Sequence, residues 1–212
     1  MLKNKVKNFL FSELILGASS TKRIAYVGVM TAFSIAFNML LEFRMFDVQF
    51  SLTIAISVLL GWLLGTVFGF TACMLGDFIG YIVNSWGQLY MPWVGLSTGI
   101  IAVIAGIIFN GIRFKYKGEL ILKIILVCIL SFFICTVGIN STGFYFYNKT
   151  IGFSTVVVNY VTEHFGGKVS YFAYLAYRLI FKGQILNNLF NYAVLFVVLP
   201  LLNRFKFIEK NR

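Results

Sequence analysis

The sequence predicts an all-α integral membrane protein with six transmembrane helices and both termini in the cytoplasm. Two observations carry this prediction: the composition and the length of the apolar stretches. Of the 212 residues, 59% are hydrophobic and 12% are charged, so a soluble core cannot bury the apolar surface and lipid must act as the solvent. A helix needs about 20 apolar residues to cross a bilayer. Six stretches approach that length, at 22–41, 50–65, 66–83, 94–112, 120–145 and 171–203, and no linker divides residues 1–212 into separate domains.

Basic residues lie at three places outside these stretches: the N-terminal arm, the segment after the fourth stretch and the C-terminal tail. Lys and Arg near span ends are retained in the cytoplasm. With six spans all three places lie on one side, which puts the loops 42–49, 84–93 and 146–170 outside. The net charge of +11 is then explained by contact with anionic lipid headgroups, and no nucleic-acid partner is expected.

The N-terminal segment 1–21 combines lysines with an apolar run that Glu13 interrupts, which predicts an amphipathic helix at the membrane interface. The first span follows and carries Gly28, Ala32 and Ala36 at every fourth position. Small residues at this spacing let a second helix approach closely in lipid. The stripe therefore predicts a surface on which a partner protein docks.

The second and third spans are joined by a tight turn, and polar groups appear inside the spans that follow. Asp77 lies near the middle of the third span, and the sixth carries Arg178 and Lys182 on one helical face. Ionisable residues at membrane depth usually pair or face a cavity. We predict that Asp77 forms a structural ion pair with Arg178 or Lys182. The remaining cation either binds an anionic group of a ligand or reaches the interface, and Gln184 either contacts the ligand or bonds to a neighbouring helix.

The outer loop 84–93 is short, neutral and aromatic. Its aromatic side chains are candidates for stacking on a planar ligand, and its amides are candidates for hydrogen bonds to that ligand. The alternative is that the aromatic residues form an interfacial belt. The candidate binding residues are Asn84, Trp86, Gln88, Tyr90 and Trp93. The longer loop 146–170 is a candidate lid over the same mouth.

The motifs of hydrolases, zinc proteases and nucleotide-binding proteins are absent from the sequence. Cys73, Cys128 and Cys135 lie inside predicted spans without metal-binding spacing, and His164 is the single histidine. No metal, cofactor or catalytic residue is therefore expected, and the sequence does not predict an enzyme.

Several short motifs follow one another along most of the chain. They are Gly61-xxx-Gly65-xxx-Gly69, Gly76-Asp77, Tyr90-Met-Pro92 before Leu96-Ser97, Thr136-Val-Gly138-Ile-Asn140 and Arg178-xxx-Lys182. This order resembles the substrate-binding S components of energy-coupling factor (ECF) vitamin transporters, and most closely those of the folate type. The resemblance extends from about residue 22 to residue 203.

The resemblance implies a protein of the bacterial plasma membrane that captures a vitamin from outside. Such S components dock through small residues of the first span, here Ala32 and Ala36 with Gly28 extending the stripe, onto a transmembrane coupling subunit. Two ABC ATPases drive that subunit, so the ATPase activity resides in the partners, and the S component topples in the membrane to release its vitamin.

The substrate stays open within this resemblance. Folate, with a planar ring and two carboxylates, suits the aromatic loop together with Arg178 and Lys182. The run at 91–95 departs from the folate-type pattern, which leaves pantothenate, a queuosine-type base and pyridoxine as alternatives. A self-sufficient secondary transporter is a further alternative, although the chain shows no repeated halves.

Overall fold

The computed structural model describes residues 7, 9–40, 42–45, 48–83, 89–114 and 118–204. Short helix α1 (Glu13–Gly17) precedes α2 (Ser20–Leu40) and a hairpin of β1 (Glu42–Met45) and β2 (Val48–Ser51). The chain continues through α3 (Thr53–Leu64), α4 (Thr66–Val83), α5 (Pro92–Gly111), α6 (Glu119–Ile151), α7 (Thr155–Phe165), α8 (Tyr171–Ala176) and α9 (Gln184–Arg204). Ile107–Gly111 of α5 and Ser131–Ser141 of α6 are π-helical, and a π-helical turn, Tyr177–Phe181, extends α8.

Within the described residues, α4, α5, α6 and α9 are long and apolar enough to cross a membrane. The helix α3 has 12 residues, which at about 1.5 Å per residue is shorter than a bilayer core of about 30 Å. The helix α2 has 21 residues but begins with the polar run Ser-Thr-Lys-Arg. The molecule is thus a mostly helical membrane protein with four clear spans, and the count of six spans and the orientation of the termini stay predictions.

The segment predicted as the first outer loop contains a β-hairpin. Phe43 pairs with Phe50 and Met45 with Val48 in antiparallel register. The alternation of apolar and polar residues here has the period of a strand rather than of a helix. The hairpin differs from the predicted all-α fold. After β2 the chain continues directly into α3.

Close backbone contacts hold α3, α4 and α5 together. A Cβ atom at Gly61 would overlap the carbonyl oxygen of Ala102 on α5, and one at Gly69 would lie 2.9 Å from the Cα of Gly61. Gly65, with φ of 86°, makes the turn between α3 and α4, so the predicted tight turn is confirmed. The glycine spacing 61, 65 and 69 therefore serves helix packing and a turn.

The N-terminal segment packs across the end of the bundle where α3 meets α4. The Ser12 hydroxyl donates to the Leu63 carbonyl, the Thr66 hydroxyl donates to the Phe9 carbonyl at 2.6 Å, and Ile15 is buried. Glu13 pairs with Arg113 at 3.1 Å. These contacts join α1 to the ends of α3 and α5, and the interfacial position of the whole segment 1–21 stays a prediction.

The predicted sixth span is broken, so the prediction of one continuous helix over 171–203 is wrong. The break falls at Lys182 and Gly183, where Gly183 has φ of 66° and α9 begins at the next residue. A left-handed residue ends a helix and lets the chain change direction.

The predicted lid loop 146–170 is largely helical, since α6 continues to Ile151 and α7 follows.

Amides of α9 hold the start of α3. Asn187 accepts a hydrogen bond from the Ser51 backbone N–H at 3.0 Å, and Asn191 accepts one from the Ala55 N–H at 2.9 Å. Asn191 also donates to the Ser51 carbonyl at 2.7 Å. The first backbone N–H groups of a helix have no partners inside the helix, and Asn191 supplies an acceptor for one of them, that of Ala55. Asn187 and Asn191 thus bind α9 to the end of β2 and the start of α3.

We expect Asn191→Ala to lower the free energy of unfolding by about 1–3 kcal/mol, because it leaves the buried Ala55 N–H and Ser51 carbonyl without a partner. Thermal unfolding in detergent measures the change. The matched control is Asn159→Ala on the exposed face of α7, which should leave stability unchanged. Equal stability of the two variants would contradict the role given to Asn191.

Candidate functional site

A cavity of about 360 Å³ lies between the hairpin, α3, α4, α5, α6, the π-helical turn after α8 and the start of α9. Its volume falls within the lower range of small-molecule sites. Most of its wall is polar, and the polar lining residues are Ser51, Thr53, Asp77, Tyr81, Ser97, Thr98, Thr136, Asn140, Arg178, Gln184 and Asn187. Phe144 and the aliphatic residues Ile54, Val94 and Ile101 supply apolar wall.

Among the described lining residues, Asp77 supplies a carboxylate and Arg178 a guanidinium. The sequence predicted an ion pair of Asp77 with Arg178 or Lys182, and the structure corrects this. The ion pairs within the described part of the chain are Arg113–Glu13 and Lys123–Glu119. The formal charges of these two groups are opposite, and each group stays available to a ligand.

Arg178 lies over the face of Phe144, with its guanidinium carbon 4.0 Å from the ring centroid. This contact holds the guanidinium by a cation–π attraction, which is stronger away from water. The Nε atom of Arg178 is buried without a hydrogen-bond partner among the described residues. An unpaired buried donor is costly, so this atom is suited to donate to a ligand oxygen.

Asn140, which lies on α6, offers a hydrogen-bond acceptor where Arg178 offers a donor. Its Oδ1 atom is buried without a partner in the described structure, so it can accept a hydrogen bond from a ligand N–H or O–H. Asn140 and Thr136 both lie in the π-helical segment Ser131–Ser141, and Arg178 lies in a second π-helical turn. π-helical segments occur frequently at functional sites. The sequence showed Thr136 and Asn140 as polar residues four apart in an apolar span, but they were not predicted as site residues.

Tyr90 contacts Asp77 from behind the cavity wall. Its hydroxyl donates to the Asp77 carboxylate, and its ring packs 5.4 Å from Phe78 and 5.1 Å from Tyr81, measured between centroids. Burial, followed by the neighbouring charge of Asp77, raises the pKa of Tyr90 to about 12, so the hydroxyl keeps its proton at neutral pH. Tyr90 therefore supports the site through Asp77 and does not line the cavity.

Trp93 is likewise not a lining residue of the cavity but packs against one, Phe144. Its ring lies 5.7 Å from Phe144 and 5.6 Å from Tyr147, and a Cβ atom at Gly143 would lie 2.5 Å from its Cγ. Its buried Nε1 has no hydrogen-bond partner within the described residues. The ring thus fixes Phe144, while the other predicted loop residues, Asn84, Trp86 and Gln88, lie outside the part of the chain that the structure describes.

The break at Gly183 decides which residues near the end of α8 reach the cavity. Lys182 is exposed and does not line the cavity, which separates it from Arg178. Gln184 lines the cavity beside Asn187. A continuous helix would have placed Gln184 on the face opposite Arg178, so the turn brings together two residues that the sequence kept apart.

The predicted docking stripe lies on the outer face of α2. Gly28 and Ala32 are exposed and Ala36 is partly exposed. Among the described residues nothing lies within 4 Å of the position that a Cβ atom would take at Gly28. The inward face of α2 carries Val27, Met30 and Phe37, which pack on the neighbouring core. At about 100° per residue the stripe points away from that face, so it is open to a partner helix.

The fold and the cavity define a membrane protein that binds a small molecule. Over residues 18–178 the chain matches the family described as ECF-type riboflavin transporter, S component, and it belongs to that family. A comparison with curated proteins finds no match. The chain is therefore the substrate-binding component of an ECF vitamin transporter and not an enzyme, and it is a multi-pass membrane protein.

Proposed function

We propose that this S component captures riboflavin from outside the cell and delivers it through an ECF transporter. The observation that carries the proposal is the cavity, whose described wall is largely polar, includes the aromatic ring of Phe144, and carries the opposite charges of Asp77 and Arg178. The family description, which names riboflavin, supports the same vitamin. Riboflavin is an uncharged planar ring with carbonyl oxygens, an imide N–H and a hydroxylated chain.

The available groups of the cavity fit such a molecule. The unpaired Arg178 Nε can donate to a ring carbonyl, and the unpaired Asn140 Oδ1 can accept from an N–H or a hydroxyl. Phe144 offers an apolar surface to the ring. Buried polar groups without partners reject ligands that cannot pair them, so these two atoms favour a ligand with both donors and acceptors.

Folate, the vitamin that the sequence favoured, fits this wall less well. It carries two carboxylates, whereas Arg178 is the cation among the described lining residues and Lys182 lies outside the cavity. The Asp77 carboxylate opposes a second negative charge in the same wall. Pantothenate, also an anion, leaves the aromatic wall unused, while pyridoxine and a queuosine-type base are ring ligands that the test below separates from riboflavin.

The transport role assigns the outer face of α2 to the partners. Gly28, Ala32 and Ala36 form the surface that docks onto a transmembrane coupling subunit, which two ABC ATPases drive. The S component would topple on docking and carry its cavity from the outer to the inner side of the plasma membrane. The open stripe opposite the packed face of α2 supports this assignment.

A competition experiment tests the substrate. The purified chain in detergent is equilibrated with radiolabelled riboflavin, and each unlabelled vitamin is then added at the same set of concentrations. We expect saturable binding that unlabelled riboflavin displaces and that folate, pantothenate, pyridoxine and a queuosine-type base do not. Displacement by folate at equal concentration would contradict the choice of riboflavin, and absence of flavin binding would contradict the proposal.

A further inference from the structure

Asp77 is the acidic group among the described residues of the cavity wall, and it has no cation as a partner within the part of the chain that the structure describes. The described ion pairs, Arg113–Glu13 and Lys123–Glu119, both lie away from it. A carboxylate at the wall of a ligand site attracts hydrogen-bond donors and repels negative charge. Since Asp77 takes no part in an ion pair with the described residues, its charge acts on whatever occupies the cavity.

Tyr90 fixes the direction of this carboxylate. The Tyr90 hydroxyl donates to Asp77, and its ring is held between those of Phe78 and Tyr81. Gly95 on α5 leaves room for the pair, because a Cβ atom there would lie 2.8 Å from Asp77 Oδ2 and 3.0 Å from the Tyr90 hydroxyl. Three elements therefore hold one carboxylate at the cavity wall in one orientation.

From this arrangement we infer that Asp77 is a specificity-determining residue, which makes the site select the uncharged vitamin over anionic forms of the same molecule, and that Tyr90 is its positioning residue. The inference rests on the proposed binding of riboflavin. The relevant anion is riboflavin 5′-phosphate, which has the same ring and side chain with a phosphate monoester added. Arg178 attracts this anion, and the Asp77 carboxylate in the same wall repels it.

The test compares the dissociation constants of riboflavin 5′-phosphate and riboflavin on the full chain in detergent. The variant Asp77→Asn keeps the size of the side chain and the acceptor for Tyr90 but removes the charge. We expect the ratio of the two constants to fall on the order of tenfold, as for one charge removed at close range in a partly buried site. Tyr90→Phe should lower the ratio by a smaller factor, because the carboxylate loses its donor.

The matched control is Glu163→Gln, which removes a carboxylate from an exposed position on α7 and should leave the ratio unchanged. An unchanged ratio in Asp77→Asn, or an equal fall in Glu163→Gln, would overturn the role of Asp77. An unchanged ratio in Tyr90→Phe alone would overturn the positioning role.

Two further outcomes separate this inference from the function on which it rests. If the unaltered chain binds no riboflavin, the proposed function fails and the inference with it. If the unaltered chain binds riboflavin but Asp77→Asn and Asp77→Ser both lose it, Asp77 is a required contact rather than a selector of charge, and the inference is overturned while the proposed function stands.

Discussion

Replacing Ala32 and Ala36 together with tryptophan will abolish vitamin uptake by the complete transporter and leave vitamin binding by the isolated chain unchanged. Two indole rings on the exposed face of α2 would keep a partner helix from approaching the backbone. We expect the cavity to be unaffected, because none of its described lining residues belongs to α2. Uptake of radiolabelled riboflavin by cells and equilibrium binding to the purified variant measure the two effects separately.

The matched control for this variant is Val197→Trp, which adds one indole to an exposed position on α9. It should support normal uptake, since α9 is not assigned to docking. Normal uptake by the Ala32 and Ala36 variant would contradict the docking role of the stripe. Loss of binding by that variant would show instead that α2 supports the cavity.

Replacing Arg178 with alanine will weaken riboflavin binding by about 1.5–3 kcal/mol, a factor of roughly 10 to 150 in the dissociation constant. The variant removes a charged donor whose Nε has no partner within the described protein and which lies over Phe144 at the cavity wall. Isothermal titration calorimetry of the purified chain measures the change.

Lys182 is the matched control for this prediction, because it is a cation four residues away that is exposed and does not line the cavity. Lys182→Ala should bind riboflavin with unchanged affinity. If Lys182→Ala loses affinity while Arg178→Ala retains it, the cavity described above is not the binding site.

The sequence predicts the membrane character, the small-residue stripe and the turn at Gly65 because each depends on local composition or spacing. The period of four in Gly28, Ala32 and Ala36 indicates a helix face without reference to the rest of the fold. The same holds for Asp77 and Arg178, which are unusual at membrane depth and therefore visible. Both line the cavity, although the sequence predicted an ion pair for Asp77.

The relation between these residues could not be predicted from the sequence. The ion pair of Asp77 was inferred from depth alone, whereas the structure turns its carboxylate toward Tyr90. A single residue, Gly183, breaks the last predicted span. As a result Lys182 lies at the surface and Gln184 lines the cavity. Asn140 was missed as a site residue because an amide in a span is more often a helix contact, and its unpaired oxygen is visible once the neighbours are placed.

Native mass spectrometry of the detergent-purified protein shows whether the isolated chain holds riboflavin in this cavity. After incubation with riboflavin and an equal concentration of folate, we expect one riboflavin and no folate on each chain. The variant in which Arg178→Ala and Asn140→Leu are combined should carry none. A chain that binds folate in preference would contradict riboflavin as the ligand. A combined variant that keeps its riboflavin would contradict binding in this cavity.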